Sequence, residues 1–183
     1  MGYAGGSTPD PTYRSIGDHS ETIQLAFDPV IITYEELLEV FWSSHRPTSP
    51  SWSSQYASAI FTHDDAQSEL AEASKARIET LMGRMHTRID PLERFYLAED
   101  YHQKYRCRNT RALYREFTEI YPAENSFRES TAVARVNGYL DGNGTPRQLE
   151  VEIDSLGLSE DGEALLCRAV GANCGMRAER TGG

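Results

Sequence analysis

The chain is short of cysteine, of basic charge and of long apolar runs, and each shortage removes a class of protein. Three cysteines, Cys107, Cys167 and Cys174, stand in 183 residues without a CxxC pair. Neither a disulfide framework nor a cysteine zinc site is expected, and a reducing compartment is the default. Lys and Arg total 18 against 28 Asp and Glu, a net charge of −10. The acid is spread evenly along the chain and reads as solubility. It leaves no basic face for nucleic acid or an anionic membrane. No stretch approaches the ~20 apolar residues of a membrane span. Met1-Gly2-Tyr3-Ala4-Gly5-Gly6 has neither the charged start nor the apolar core of a signal peptide. With no address visible, a cytoplasmic location is the expectation. The histidines (His19, His45, His63, His86, His102) lack metal-ligand spacing, and no P-loop, GxGxxG or GxSxG occurs. No bound metal or cofactor is expected. Asp141-x-Asn143-x-Thr145 carries Pro146 where a calcium loop requires glycine, so it reads as a turn.

What is present is ordinary globular material, with 39% hydrophobic and 25% charged residues. Residues 1–20 are rich in Gly, Ser, Thr, Pro and Asp, the chemistry of loops. Ile23, Leu25 and Phe27 alternate with polar residues, which predicts a half-buried strand over 21–27 ended by Asp28-Pro29. Thr33-Tyr-Glu-Glu36 is a capping box, and Leu37, Leu38, Phe41, Trp42 and His45 follow at helical spacing. A helix over about 34–45 is predicted. Residues 56–62 read as a second strand, and Asp64 or Asp65 opens a helix to about 85. A short strand is expected over 87–92. Beyond about 109 every signal is helical. Asn109 or Thr110, Ser126-x-x-Glu129, Thr145-Pro146-x-Gln148 and Ser159 are helix starts. The Gly- and Arg-rich last dozen residues are expected to be disordered.

Taken singly, few residues stand out as chemistry. Glu21 at a strand start is an ordinary solvated carboxylate, or a general acid if burial among tyrosines keeps it protonated. Tyr13 and Tyr56 border turn-rich loops and can donate phenolic hydrogen bonds.

The motifs taken together are more specific. Gly2-Tyr3-Ala4-Gly5-Gly6, Pro9-Asp10-Pro11-Thr12-Tyr13-Arg14 and His19-Ser20-Glu21 open the series. Phe27-Asp28-Pro29, Ile32 through Leu38, Phe41-Trp42, Gln55-Tyr56-x-Ser58-Ala59-Ile60 and Phe95-Tyr96-x-Ala98-Glu99-Asp100-Tyr101-His102-Gln103-x-Tyr105 follow in order. This arrangement over residues 2–105 resembles the peptide methionine sulfoxide reductase A family. The resemblance implies an α+β fold, a two-layer ferredoxin-like sandwich. It implies reduction of methionine-S-sulfoxide, free or in proteins, by a cysteine thiolate, with thioredoxin or dithiothreitol as external reductant.

By the same resemblance Glu21 is the general acid, with Tyr13 and Tyr56 as its supporting phenols. The family's Gly-Cys-Phe-Trp-Gly segment, some twenty residues before the Gly-Tyr-Ala-Gly-Gly element, is absent from this sequence. The resemblance therefore implies a domain without its first strand, first helix and nucleophilic cysteine, marginally stable and inactive alone. Ser51, beside Trp52, stands near the place of a usual aspartate. Cys107 and Cys174 are candidate resolving cysteines, and Cys167, on an apolar helix face, reads as core. The expected organisation is a reductase-like domain over 1–108, a helical extension over 109–171 and a flexible tail over 172–183. The competing reading is a non-catalytic module that binds oxidised Met or a protein partner.

Overall fold

The computed structural model describes residues 1–174, an α+β chain that divides into two compact units, Met1–Glu99 and Asp100–Gly183. The division lies ahead of the 108/109 boundary read from the sequence. Cys107 is buried in the core of the second unit, so the residues around it pack with the helices that follow.

In the first unit, β1 (Gly2–Ala4) is the middle strand of a three-stranded antiparallel sheet. Its partners are β2 (Ser20–Thr22) and, farther along the chain, Phe95–Leu97. Tyr3 stands opposite Glu21 on one side and Tyr96 on the other. A Cβ on Gly2 would run into the Phe95 ring and the Tyr96 carbonyl, so only glycine fits there. β2 is shorter than the alternation over 21–27 predicts. β1 offers a ladder only as far as the Gly2–Thr22 pair, and past it Ile23 and Leu25 stand 69% and 57% exposed.

The capping box at Thr33 and Glu36 forms as read, and α1 runs over Tyr34–Ser43. β3 (Ala59–Thr62) and β4 (Arg88–Pro91) form a separate parallel pair, joined by α2 (Asp65–Met82). That is one βαβ crossover, the connection parallel strands require. Phe95–Leu97 is β5. Leu38 and Trp42 of α1, Ile60 of β3, Ala71 of α2 and Met85 make the core between them. The Trp42 indole donates to Ser74 Oγ at 3.0 Å, so the buried ring keeps its polar atom satisfied.

The second unit is helical. α3 (Tyr105–Asn109), α4 (Arg111–Ile120), α5 (Glu124–Glu129) and α6 (Thr131–Leu140) precede α7 (Pro146–Glu152) and α8 (Glu160–Val170). The helix start expected at Ser126 falls inside α5. Ser130 instead adopts an extended backbone and accepts the Val133 N–H, ending one helix and opening the next. Thr145 and Gln148 form the capping box predicted there, with Pro146 at the first helical position. Leu113, Phe117, Phe127, Val133, Leu149 and Leu166 are fully or almost fully buried at the centre of the unit.

Phe117 is 0% exposed. Phe117→Ala is expected to destabilise the helical unit by about 3–5 kcal/mol, the lost transfer energy plus the cavity left behind. Urea unfolding followed by helical circular dichroism measures it.

Candidate active site

The candidate site is assembled by the β1–β2 ladder and two loops. The loop between the strands, residues 5–19, carries Tyr13. Asp18 clamps it by accepting the Ser7 and Thr8 backbone N–H groups and both hydroxyls, at 2.8–3.0 Å. Those bonds favour the ionised form and hold the Asp18 carboxyl well below the usual carboxylate range. Buried His19 ties the same loop. Its Nδ1 accepts the Gly6 N–H at 3.1 Å, which leaves Nε2–H to donate to the Thr8 carbonyl at 2.8 Å. Glu99 reaches the loop from beyond β5, accepting the Tyr13 N–H at 3.1 Å and the Tyr3 hydroxyl at 2.7 Å.

The second loop, ahead of β3, delivers Gln55 and Tyr56. It is stitched to β2 by Glu21 N–H donating to the Gln55 carbonyl at 2.9 Å and Ser20 Oγ donating to the Ser54 carbonyl at 2.8 Å. Gln55 Nε2 then donates to Glu21 Oε1 at 2.7 Å and to the Tyr56 hydroxyl at 3.2 Å. The Tyr56 phenol is raised above its ordinary value by desolvation, by the Glu21 carboxylate, and by Tyr13 through its charge and a hydrogen bond. It therefore stays protonated, a donor, at neutral pH. Trp52 packs 5.1 Å from the Tyr56 ring, beside Ser51.

Glu21, Tyr13 and Tyr56, far apart in sequence, are thus brought together. Gln55 is the member that residue-by-residue reading passed over; the one signal for it was its place beside Tyr56 in the Gln-Tyr pair. Glu21 and Tyr56 line a cavity of about 640 Å³ whose other walls are mainly apolar, among them Leu25, Leu37, Phe41 and Phe95. A carboxyl group beside a phenol at the wall of an apolar cavity is suited to hydrogen-bond a polar group on an otherwise apolar ligand. Among the described residues no cluster of His, Cys, Asp and Glu is placed to hold a metal. No helix there is long and apolar enough to cross a membrane.

All three cysteines lie in the second unit. Cys107 is fully buried, and desolvation pushes its thiol up to about 12, so it is no thiolate at neutral pH. Cys167 and Cys174 are joined in a disulfide. The spacing, read against a disulfide framework, gave no sign of this link; Cys167 lies in the core as expected and is bonded as well. Gly171 ends α8 at φ 72°, a left-handed conformation natural to glycine, and folds the chain back so that the two Cα atoms lie 6.0 Å apart. Of the last dozen residues, read as disordered, 172–174 are described and the rest lie outside the described residues.

Fold and site together define an α+β protein with a carboxyl group and a phenol side by side at an apolar cavity. The family model for peptide methionine sulfoxide reductase matches residues 1–143, and the chain belongs to that family. A peptide methionine sulfoxide reductase of Drosophila melanogaster is 38% identical over 163 residues, covering 87% of this chain and 65% of that protein. The MsrA of Methanococcoides burtonii is 45% identical over 117 residues, 57% of this chain and 76% of that one. The crystal structure of Mxr1 from Saccharomyces cerevisiae in reduced form matches with a TM-score of 0.56 at 30% identity, over 60% of this chain and 70% of that one. The chain spans slightly less than two thirds of the Drosophila relative and 62% of an Arabidopsis thaliana one. The family match runs past residue 105, where the motif resemblance stops, so part of the helical unit is shared with relatives.

Two outcomes follow. Unreduced native protein should take up no iodoacetamide, denatured protein one equivalent at Cys107, and reduced denatured protein three, read by mass spectrometry. Asp18's depressed titration makes the clamp complete above the ~3.9 of an unfolded Asp and weak only as pH falls through the lower folded value. Ser7 and Thr8 amides should stay protected from hydrogen exchange at pH 4 in the native protein. Asp18→Asn should speed their exchange roughly tenfold or more.

Proposed function

We propose that this chain works in the reduction of methionine-S-sulfoxide, free or in proteins, with Glu21 as the general acid and Tyr13 and Tyr56 as its supporting phenols. The observation that carries the reading is Glu21 and Tyr56 at the wall of an apolar cavity with room for a methionine side chain, with Tyr13 interacting with Tyr56. A thiolate attacks the sulfoxide sulfur while Glu21 gives its proton to the sulfoxide oxygen. Oxygen passes to the thiol as a sulfenic acid, and methionine leaves as the sulfide. A second thiol attacks the sulfenic sulfur, forming a disulfide and releasing water.

The 183 residues contain no Gly-Cys-Phe-Trp-Gly. The proposed domain is a two-layer ferredoxin-like sandwich completed by a first strand and helix bearing that segment. Supporting this, the cavity wall is mainly apolar, and Ile23, Leu25 and Val40 beside it are 69%, 57% and 59% exposed. Without such a segment the chain has no nucleophile in the unit that carries Glu21, and is inactive alone. Cys174 with Cys167 is the proposed resolving pair, opened by thioredoxin or dithiothreitol. Disulfides in a reducing cytoplasm are usually transient and catalytic, which favours this pair over buried Cys107. The alternative, a module that binds oxidised Met or a protein partner without turnover, rests on the same cavity and on the lack of a thiol in Met1–Glu99.

The test is turnover of a methionine-S-sulfoxide peptide with dithiothreitol. The chain alone should show none. A synthetic peptide with an apolar stretch leading into Gly-Cys-Phe-Trp-Gly should raise its Tm and restore turnover. Glu21→Gln should then cut the rate by roughly 10²–10⁴-fold. Turnover indifferent to Glu21→Gln would sink the acid assignment. Sulfoxide binding without restored turnover would favour the binding module.

A further inference from the structure

We propose that Gln55 is the positioning residue of the acid, selecting which oxygen of Glu21 carries the transferable proton. This rests on Glu21 acting as the acid, and deepens that reading. Gln55 is half-buried and is not part of the cavity wall, whereas Glu21 and Tyr56 are. It acts through them.

The geometry is over-determined. The Gln55 backbone carbonyl accepts the Glu21 N–H at 2.9 Å, pinning the two backbones together. The side-chain amide has two N–H groups, and both have acceptors: Glu21 Oε1 at 2.7 Å and the Tyr56 hydroxyl oxygen at 3.2 Å. A flipped amide would lose its bond to Glu21 and set its carbonyl oxygen against the carboxylate. The ionised Glu21 carboxylate, which can only accept, therefore holds the amide with nitrogen toward it, while the Tyr56 hydroxyl suits either orientation. With Oε1 occupied as an acceptor, the proton of the neutral acid resides on Oε2.

The consequence for transfer is directional. The Glu21 Oε2–H bond breaks, a bond from that proton to the sulfoxide oxygen forms, and Glu21 is left as a carboxylate. The Gln55 N–H···Oε1 bond then changes from one to a neutral acceptor to one to an ion, which is shorter and about twice as strong. Gln55 thus stabilises the state reached by giving the proton more than the state before it. Such differential stabilisation is what separates a positioning residue from a merely structural one.

The test uses the full chain, labelled with ¹³C and ¹⁵N, and needs no nucleophile. Through the Glu21 Cδ titration, the Gln55 Nε2 protons should shift with the same midpoint, and Glu21→Gln should abolish that shift. Gln55→Met keeps the length of the side chain and removes its donors. It should move the Glu21 Cδ midpoint to higher pH while Tm and the remaining spectrum stay close to wild type. A role confined to packing would leave the midpoint in place. Gln55 protons that stay flat, or an unmoved midpoint in folded Gln55→Met, overturn the proposal. If Gln55→Met does not fold, the proton titration and its Glu21→Gln control decide alone. N-acetyl-methionine-S-sulfoxide methylamide tests the underlying reading separately. Wild type should prefer it over the methionine compound, with that preference reduced roughly three- to tenfold in Gln55→Met. Coupling between Gln55 and Glu21 without any such preference would overturn the sulfoxide reading and leave the Gln55–Glu21 pairing measured.

Discussion

Three residues of backbone, Gly2–Ala4, hold the candidate site together. β1 pairs on both edges, so its register sets Glu21 on one side and Tyr96 on the other. Tyr3, 1% exposed, sends its hydroxyl to Glu99, and Glu99 holds the Tyr13 loop by a backbone N–H. The Gln55 carbonyl then takes up the N–H of Glu21. A one-residue slip of this ladder would turn Glu21 to the opposite face of the sheet and part it from both tyrosines. The need for a side-chain-free Gly2 follows from the same closeness.

Around that ladder, polar groups are satisfied by short loops and not by regular structure. Asp18 and His19 hold the 5–19 loop by accepting or donating at backbone atoms. This lets a loop of small, polar and turn-forming residues keep Tyr13 in place without a helix or strand of its own. His45 does a similar service at β3, with Nδ1 bonded to the Phe41 carbonyl and Nε2 to Ser58 Oγ at 2.8 Å each. The apolar cavity is the counterpart. There β2 ends at Thr22, and large side chains such as Ile23 and Leu25 meet open space.

The helical unit follows a different economy. The six α-helices among its described residues are short, and their stability comes from a dense centre built on Phe117, Phe127 and Leu149 rather than from propensity. Ordered polar contacts rim it, such as Arg108 to Glu124 and the Tyr139 hydroxyl to Glu152 at 2.5 Å. The Cys167–Cys174 link joins the end of α8 to the turn beyond it, with Cys167 in the packed centre and Cys174 against it.

Two helix starts were legible because a capping box is local, Thr33 with Glu36 and Thr145 with Gln148 closing over three residues, whereas the same pattern at Ser126 and Glu129 falls inside α5. Glu21, Tyr13 and Tyr56 were legible as a set because motif order survives in the chain. Strand length was not. Alternation at Ile23, Leu25 and Phe27 states a preference for one face, but a strand also needs a neighbour, and β1 supplies one only as far as Thr22. Nor was the disulfide, since spacing in sequence is silent on the turn at Gly171 that brings Cys174 back to Cys167. By itself the sequence determined the caps at Thr33 and Thr145, the acidic composition and the grouping of Glu21, Tyr13 and Tyr56. Only tertiary structure decided what those residues touch, including the two amide hydrogens of Gln55, because hydrogen bonds between loops depend on distances that no local pattern encodes.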